Sequence, residues 1–367
     1  MNFIHLRTNI RKQTLQLLEL GWTPRFAEDC QTLFPQLLPG RVSAEFRGGY
    51  RLLSPDGDFT AKIDGKIRHA AATRRDYPAV GDWVAYSTND GVTATIHGIL
   101  PRANCVVRRA AGRDVSEQII GANIDTMFLV NALNSDFNVR RIERYVALAL
   151  ESKTRPVILL NKADLCLDLA EKLHELEPVV AGIAVHVISA IRNDGLDALA
   201  PYLTAGQTIA VVGSSGVGKS TLINALLGEN RQATGEIRES DNRGRHTTTY
   251  RSLVPLPAGA LLLDTPGMRE LHLWTNEDLG ETFADIKALA QRCRFADCRH
   301  DSEPGCAIRS ALGTELDTAR LNNYQKLERE VAFIERKTNV RAQAEEKKRW
   351  KTIHKQARQQ SKRKLKG

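Results

Sequence analysis

The sequence predicts a multi-domain fold: a small all-β barrel, then a doubly wound α/β domain, then a small helical module. Three observations predict it. Between Arg41 and Asp114 the chain reads as short strands separated by turn residues. From about residue 120, apolar runs alternate with helical stripes. After Glu281 that rhythm stops, and three of the six cysteines fall between Cys293 and Cys306.

The 367 residues are 42% hydrophobic and 26% charged, which is ordinary globular composition and excludes a disordered or low-complexity scaffold. The longest apolar run without Gly or Pro is Tyr145–Leu150, far short of the ~18 residues of a membrane span. The N-terminus, MNFIHLRTNIRKQ, lacks the apolar core of a secretory signal. The expectation is therefore a cytoplasmic protein. The net charge is +9, and the segment from Arg341 to Gly367, with eleven Lys/Arg against two Asp/Glu, accounts for all of it. Such a tail suits a polyanionic partner through counterion release, or a solvated helix end.

Residues 1–40 read as an N-terminal extension with a short helical segment over Leu15, Leu17, Leu18 and Leu20. In the next stretch Gly48-Gly49 and Asp56-Gly57 are hairpin turns, and Val92, Ala94 and Ile96 alternate with Thr93, Thr95 and His97. Gly81-Asp82-Trp83-Val84 begins another strand. About five strands in about 70 residues suit an OB-fold, a frequent nucleic-acid binder, and equally a purely structural small barrel.

Further on, Met127–Val130, Val157–Leu160, Ile183–Ile188, Ile209–Val212 and Leu261–Leu263 are buried-strand runs, with a helical stripe at Ile142, Tyr145, Val146 and Ala149. This rhythm predicts a parallel sheet covered on both faces. In the last module Leu321, Tyr324, Leu327, Val331 and Ile334 share one helix face.

The chemistry lies in short motifs. Gly213-Ser214-Ser215-Gly216-Val217-Gly218-Lys219-Ser220 fits GxxxxGK[ST] between a predicted strand and a helix that opens at Thr221. The glycines let backbone N–H groups wrap phosphates at a helix N-terminus. Lys219 reaches the β/γ-phosphates and the Ser220 hydroxyl binds Mg²⁺. Asn161-Lys162-Ala163-Asp164 follows a strand, where switch-point ligands bind. A carboxylate at Asp164 accepts the two N–H groups of guanine N1 and N2, a donor pair adenine lacks. Lys162 can lie across the base, and Ser189-Ala190 would close over its carbonyl oxygen. Asp264-Thr265-Pro266-Gly267 places a carboxylate on the Mg²⁺ side and the Gly267 N–H at the γ-phosphate. Gly244 to Thr249 lies where switch I belongs, so Thr248 or Thr249 would bind Mg²⁺. These readings predict GTP with Mg²⁺.

The motif order carries further information. The NKxD motif at Asn161 precedes the P-loop at Gly213, whereas the ordinary order is P-loop, DxxG, NKxD. The domain is therefore read as circularly permuted, which a sheet tolerates where the old termini lay close together. Cys293, Cys298, His300 and Cys306 form C-x4-C-x-H-x5-C. Three thiolates and an imidazole suit one closed structural Zn²⁺ site, with disulfide pairing the weaker alternative in a reducing compartment.

With these motifs in this order, residues 41–335 resemble the ribosome small-subunit-dependent GTPase family. The resemblance implies GTP hydrolysis stimulated by the 30S subunit and its rRNA, timing a late step of 30S maturation. Met268 stands where many GTPases carry a water-orienting glutamine. The resemblance implies that a switch-I histidine takes over, and His246 holds that place. The alternative is a non-enzymatic RNA-binding module that keeps GTP as a structural ligand. The expectation is a monomer that binds no membrane, since the chain ends Leu365-Lys366-Gly367 without a lipidation motif. The predicted boundaries are 1–40 for the extension and 41–114 for the OB-like domain. The permuted GTPase domain spans 115–280, the zinc-binding helical domain 281–340, and the basic tail 341–367.

Overall fold

In a computed structural model the described residues are 17–88, 91–109, 117–180, 182–228, 251–264 and 282–338. Alternating side chains build the first element group. Strands β1 (Leu38–Phe46), β2 (Gly49–Ser54), β3 (Gly57–Ile63), β4 (Trp83–Thr88) and β5 (Thr93–Ile99) run in the order β1-β2-β3-β5-β4. Pairing of β1 with β4 closes the ring, and β3 and β5 are parallel while the other pairs are antiparallel. This is the OB arrangement the alternation predicted. Inward residues Val42, Leu52, Phe59, Val84, Tyr86 and Ile96 fill the barrel.

The residues ahead of the barrel differ from the sequence reading. Leu17–Gly21 is a turn, and the helix is α1, Pro24–Leu33. Thr23 caps it by accepting from the Phe26 N–H, and Pro24 occupies the first turn, where its missing N–H has no intrahelical role. Trp22 and Phe26 pack on the buried Trp83 at centroid distances of 4.6 and 5.9 Å. Strand β1 already begins at Leu38.

After the barrel, β6 (Cys105–Arg109) and β7 (Glu117–Ala122) pair as a ribbon. The nucleotide-type sheet follows: β8 (Thr126–Ala132), β9 (Arg155–Asn161), β10 (Ala184–Val187), β11 (Thr208–Val212), β12 (Ser252–Pro255) and β13 (Leu261–Asp264). Its order is β10-β9-β8-β11-β13-β12. Every pair is parallel except β12 with β13, so an antiparallel strand is added to the predicted parallel sheet. The four residues of β12 are too short, and end in too exposed a proline, to show periodicity.

Both faces of the central strands are buried. Helix α4, Leu169–Leu176, follows β9. On one face Phe128, Val130, Leu159 and Val211 pack with Leu222, Ile223 and Leu227 of helix α5 (Lys219–Leu227) and with Leu199 and Tyr202.

Strand β12 also pairs with β1 at Ser252 and Ala44, so barrel and sheet form one eleven-stranded system. Arg41 fastens the seam. It is 1% exposed and donates to the carbonyls of Gly81, Leu20 and Asn123 and, at 2.8 Å, to Thr208 Oγ1 at the start of β11. Burial lowers its pKa to about 10, against the opposing pull of Asp125 and Asp82.

The chain divides into two compact units. One holds the barrel and the sheet. Among the described residues, the other holds 109, 139–151 and 282–338. The described helices of the second unit are α3 (Val139–Glu151), α6 (Ala284–Ala290), α7 (Ala307–Ala311) and α8 (Thr318–Thr338). A short helix, α2 (Gly65–Ala70), belongs to the barrel. The predicted face of α8 is partly visible: Leu321, Leu327 and Val331 are buried.

Candidate functional site

The sheet order brings three loops to the carboxyl ends of neighbouring strands, where ligands of open α/β sheets bind. Strand β11 runs into Gly213, whose backbone lies so close to β8 that a Cβ there would meet the Val130 oxygen at 2.4 Å. Gly216 and Gly218 take left-handed φ values of +79° and +94°. At Gly218 a Cβ would stand 2.3 Å from Asn161 Nδ2, so no side chain fits. The buried Val217 anchors the loop from below. The loop arches over Lys219, whose ammonium donates to the carbonyl oxygens of Gly213 and Ser214 at 2.7 and 2.5 Å. An arch of this kind turns its N–H groups toward an anion and holds a cation at its centre. Ser220 and Thr221 follow in the first turn of α5.

The base-side loop begins at Asn161, the last residue of β9 and 2% exposed. Its Nδ2 donates to Val217 O at 2.8 Å, and its Oδ1 accepts the Ala190 N–H at 2.9 Å. One side-chain amide thus ties all three loops. Lys162 then turns left-handed, with φ of 64°. Ala163 N–H bonds to Ile188 O, and Ser189 Oγ donates to Asp164 at 2.6 Å. The carboxylate of Asp164 is half-buried and aimed by the serine. Asp264 closes β13 opposite Ser252. His246, Thr248, Thr249 and Gly267 lie outside the described residues.

One contact had no sequence signal. Asp136, in the loop after β8, accepts from Ser214 Oγ at 3.1 Å. No motif marks an aspartate at this distance from a P-loop.

The cysteine cluster belongs to the second unit. Ligand atoms of Cys293, Cys298, His300 and Cys306 all lie within 4.8 Å of one another. Cys293 Sγ is 3.7 Å and Cys306 Sγ 3.5 Å from His300 Nδ1, and the two sulfurs are 4.0 Å apart. A tetrahedral site with ordinary Zn–S and Zn–N bonds has edges of about 3.8 Å between sulfurs and about 3.6 Å from sulfur to nitrogen. The donor set therefore fits a four-coordinate zinc ion. His300 adopts a left-handed φ of 63°. Burial and the neighbouring thiols push the Cys298 thiol up to about 11. For Cys293, burial opposes ionisation, but the N–H groups of Ile308 and Ala307 outweigh it and hold the thiol low. Several thiolates this close ionise together only when a cation shares their charge.

An NKxD loop on β9, a P-loop on β11 and an aspartate at the end of β13, in this chain order, define a circularly permuted P-loop GTPase. The comparisons narrow the class. A family model described as RsgA GTPase matches residues 99–274, and one described as 50S ribosome-binding GTPase matches residues 208–348. The chain is 46% identical over 354 residues to the small ribosomal subunit biogenesis GTPase RsgA of Opitutus terrae, covering 93% of this chain and 96% of that one. It is 49% identical over 321 residues to RsgA 2 of Lactiplantibacillus plantarum, covering 87% and 90%. Among solved structures it is similar to YjeQ from Thermotoga maritima, with a TM-score of 0.61, 26% identity, and coverage of 80% and 98%. The chain belongs to the RsgA GTPase family.

Proposed function

We propose that this GTPase hydrolyses GTP to GDP and phosphate on the small ribosomal subunit, and that hydrolysis times a late step of the subunit's maturation. The observation that carries the nucleotide reading is the Asn161 amide, which couples the base-reading loop to the phosphate loop. In this reading Asp164 accepts guanine N1–H and N2–H, with Ser189 fixing its aim. Lys162 covers the base, and the Ser189-Ala190 segment closes over its carbonyl oxygen. The N–H groups of residues 213–220 enclose the phosphates, and Lys219 exchanges its carbonyl partners for phosphate oxygens. Mg²⁺ would be held by Ser220, a switch-I threonine (Thr248 or Thr249) and the Asp264 side; bound there, it neutralises charge on the β- and γ-phosphates. His246 orients the attacking water, and Gly267 N–H meets the γ-phosphate.

Cys293, Cys298, His300 and Cys306 would hold one Zn²⁺, and their shared ligation would cross-link the loop between α6 and α7. With four protein ligands the ion leaves no position for substrate. The barrel and the zinc-bearing module engage rRNA, and the basic tail adds salt-dependent affinity. The protein acts in the cytoplasm as a monomer. Among the described residues no helix is long and apolar enough to cross a membrane.

The test is cosedimentation with 30S, 50S and 70S particles in GDP and in a non-hydrolysable GTP analogue, with turnover measured alongside. Preferential 30S binding and 30S-stimulated hydrolysis are expected. Unstimulated turnover should be slow, on the order of 10⁻³ s⁻¹. His246→Ala should bind GTP and 30S normally but lose about 10²–10³ of the stimulated rate. Preference for 50S particles, or no stimulation by 30S, would overturn the reading.

A further inference from the structure

One buried guanidinium gathers the second unit. Arg320, on α8 and 4% exposed, meets Asp285 of α6 through two bonds of 2.8 Å. It also donates to the Thr282 carbonyl at 3.0 Å and to Glu143 Oε1 of α3 at 2.5 Å, and it lies over the Phe283 ring at 4.8 Å. Glu143 is fully buried and accepts further bonds from Arg140 and Asn323. A second fork, Arg144 to Glu330, ties α3 to α8 again.

The chain positions of these partners give the cluster its meaning. Helix α3 is the segment between β8 and β9, and β9 ends at Asn161 of the base-side loop. Thr282 and Asp285 stand at the start of α6, on the chain that leaves the sheet at Asp264. The base side and the phosphate side of the nucleotide sheet thus run, by separate covalent routes, to one arginine. Arg320 suits this task, because only a planar fork satisfies Asp285 bidentately and still reaches Thr282 and Glu143.

We infer that Arg320 is a positioning residue that couples the nucleotide state of the sheet to the C-terminal helices. This rests on the GTPase reading above, and coupling of this kind is a difference in affinity between two states.

The test uses the full, zinc-loaded chain, wild type and Arg320→Lys, each with GDP and with a non-hydrolysable GTP analogue. Lysine keeps the charge and loses the fork. Hydrogen exchange is followed in residues 139–151, 282–292 and 318–330. Wild type should exchange differently in the two nucleotides in all three stretches. Arg320→Lys should keep its guanine-nucleotide affinity and lose that difference. The ratio of 30S affinities between the two nucleotides, about 5- to 150-fold for ordinary coupling, should fall to about one. Glu143→Gln, which leaves the Asp285 fork intact, is the second variant. It should silence residues 139–151 while 282–292 still respond. Retention of the wild-type difference in Arg320→Lys, or no difference in wild type, overturns the inference. A wild type that binds 30S in neither state overturns the proposed function instead, and the exchange data still decide the role of Arg320.

Discussion

The side-chain amide of Asn161 donates to the carbonyl oxygen of Val217 at 2.8 Å. The residue that opens the base-side loop is therefore part of the floor of the P-loop. Asn161→Ala would leave Val217 O and the Ala190 N–H without these partners in a buried site. The two lost bonds cost about 1–3 kcal/mol each, so where that cost falls on nucleotide binding GTP and GDP affinity should drop by at least about 30-fold. Titration calorimetry checks this, with the melting temperature of the free protein as control. Unchanged affinity would mean that the two loops act independently.

Asp164 and Ser189 make a second prediction. Asp164→Asn should weaken GTP binding and favour xanthine nucleotides, whose C2 carbonyl accepts from the new amide. Ser189→Ala removes only the 2.6 Å bond that aims the carboxylate. It should preserve guanine preference and weaken binding by about tenfold, the equivalent of roughly 1.4 kcal/mol. Competition by GTP, XTP and ATP against a fluorescent GDP separates the two outcomes.

Much of the geometry of this candidate site is legible in the sequence, because its loops and its cysteine cluster are built from particular residue types at short, fixed spacing. Gly213–Ser220 and Cys293–Cys306 are local patterns of that kind. The barrel is legible because β5 alternates exposed and buried positions. What stays hidden is long-range. Arg41 meets Thr208 across 167 positions, and Arg320 meets Glu143 across 177, with no periodicity to mark either. The leucines at 15–20 suggest a helix, yet the Thr23 cap and Pro24 at the first turn set its start later, at Pro24.

The buried Arg41 leads to a stability prediction. Arg41→Leu keeps bulk but removes every donor to Gly81, Leu20, Asn123 and Thr208. The loss should be about 3–5 kcal/mol, as when one partner of a buried polar network is deleted. Denaturant unfolding followed by tryptophan fluorescence reads it, since Trp83 lies beneath the guanidinium at 5.6 Å. A loss below about 1 kcal/mol would show that the seam is held by β-pairing and apolar contact alone.

Acid should weaken the barrel through Asp64. The Lys66 N–H and then the His97 ring hold its carboxyl below the ordinary range. A carboxylate depressed in the folded state stabilises fully above its unfolded value, about 3.9, and loses that contribution as pH falls through the lower native value. Wild type should therefore outlast Asp64→Ala at neutral pH, and the gap should close only below about pH 4. Melting temperatures across that range test it. A gap that stays constant down to about pH 2 would show that the Asp64 carboxylate contributes no pH-dependent stability.

Metal removal tests the cysteine cluster. The sulfur and nitrogen separations match a tetrahedron, and the Cys306 sulfur also accepts the Arg309 N–H at the start of α7. Losing the cation would leave crowded thiols that must take up protons, and α7 would lose its anchored first turn. Protein purified without chelator should contain about one zinc per chain, and ligand deprotonation makes retention fall with pH. Cys298→Ala should lose the metal and the protection of residues 293–316 against proteolysis. Its GTP affinity should stay within about twofold, because separate compact units keep separate stabilities. Two readouts decide the matter together: metal analysis of the purified protein, and nucleotide titration of the variant. Protein free of zinc but fully resistant to proteolysis would show that hydrogen bonds alone, among them those of Glu303 to the backbone N–H groups of Arg299, Asp301 and Ser302, hold the loop.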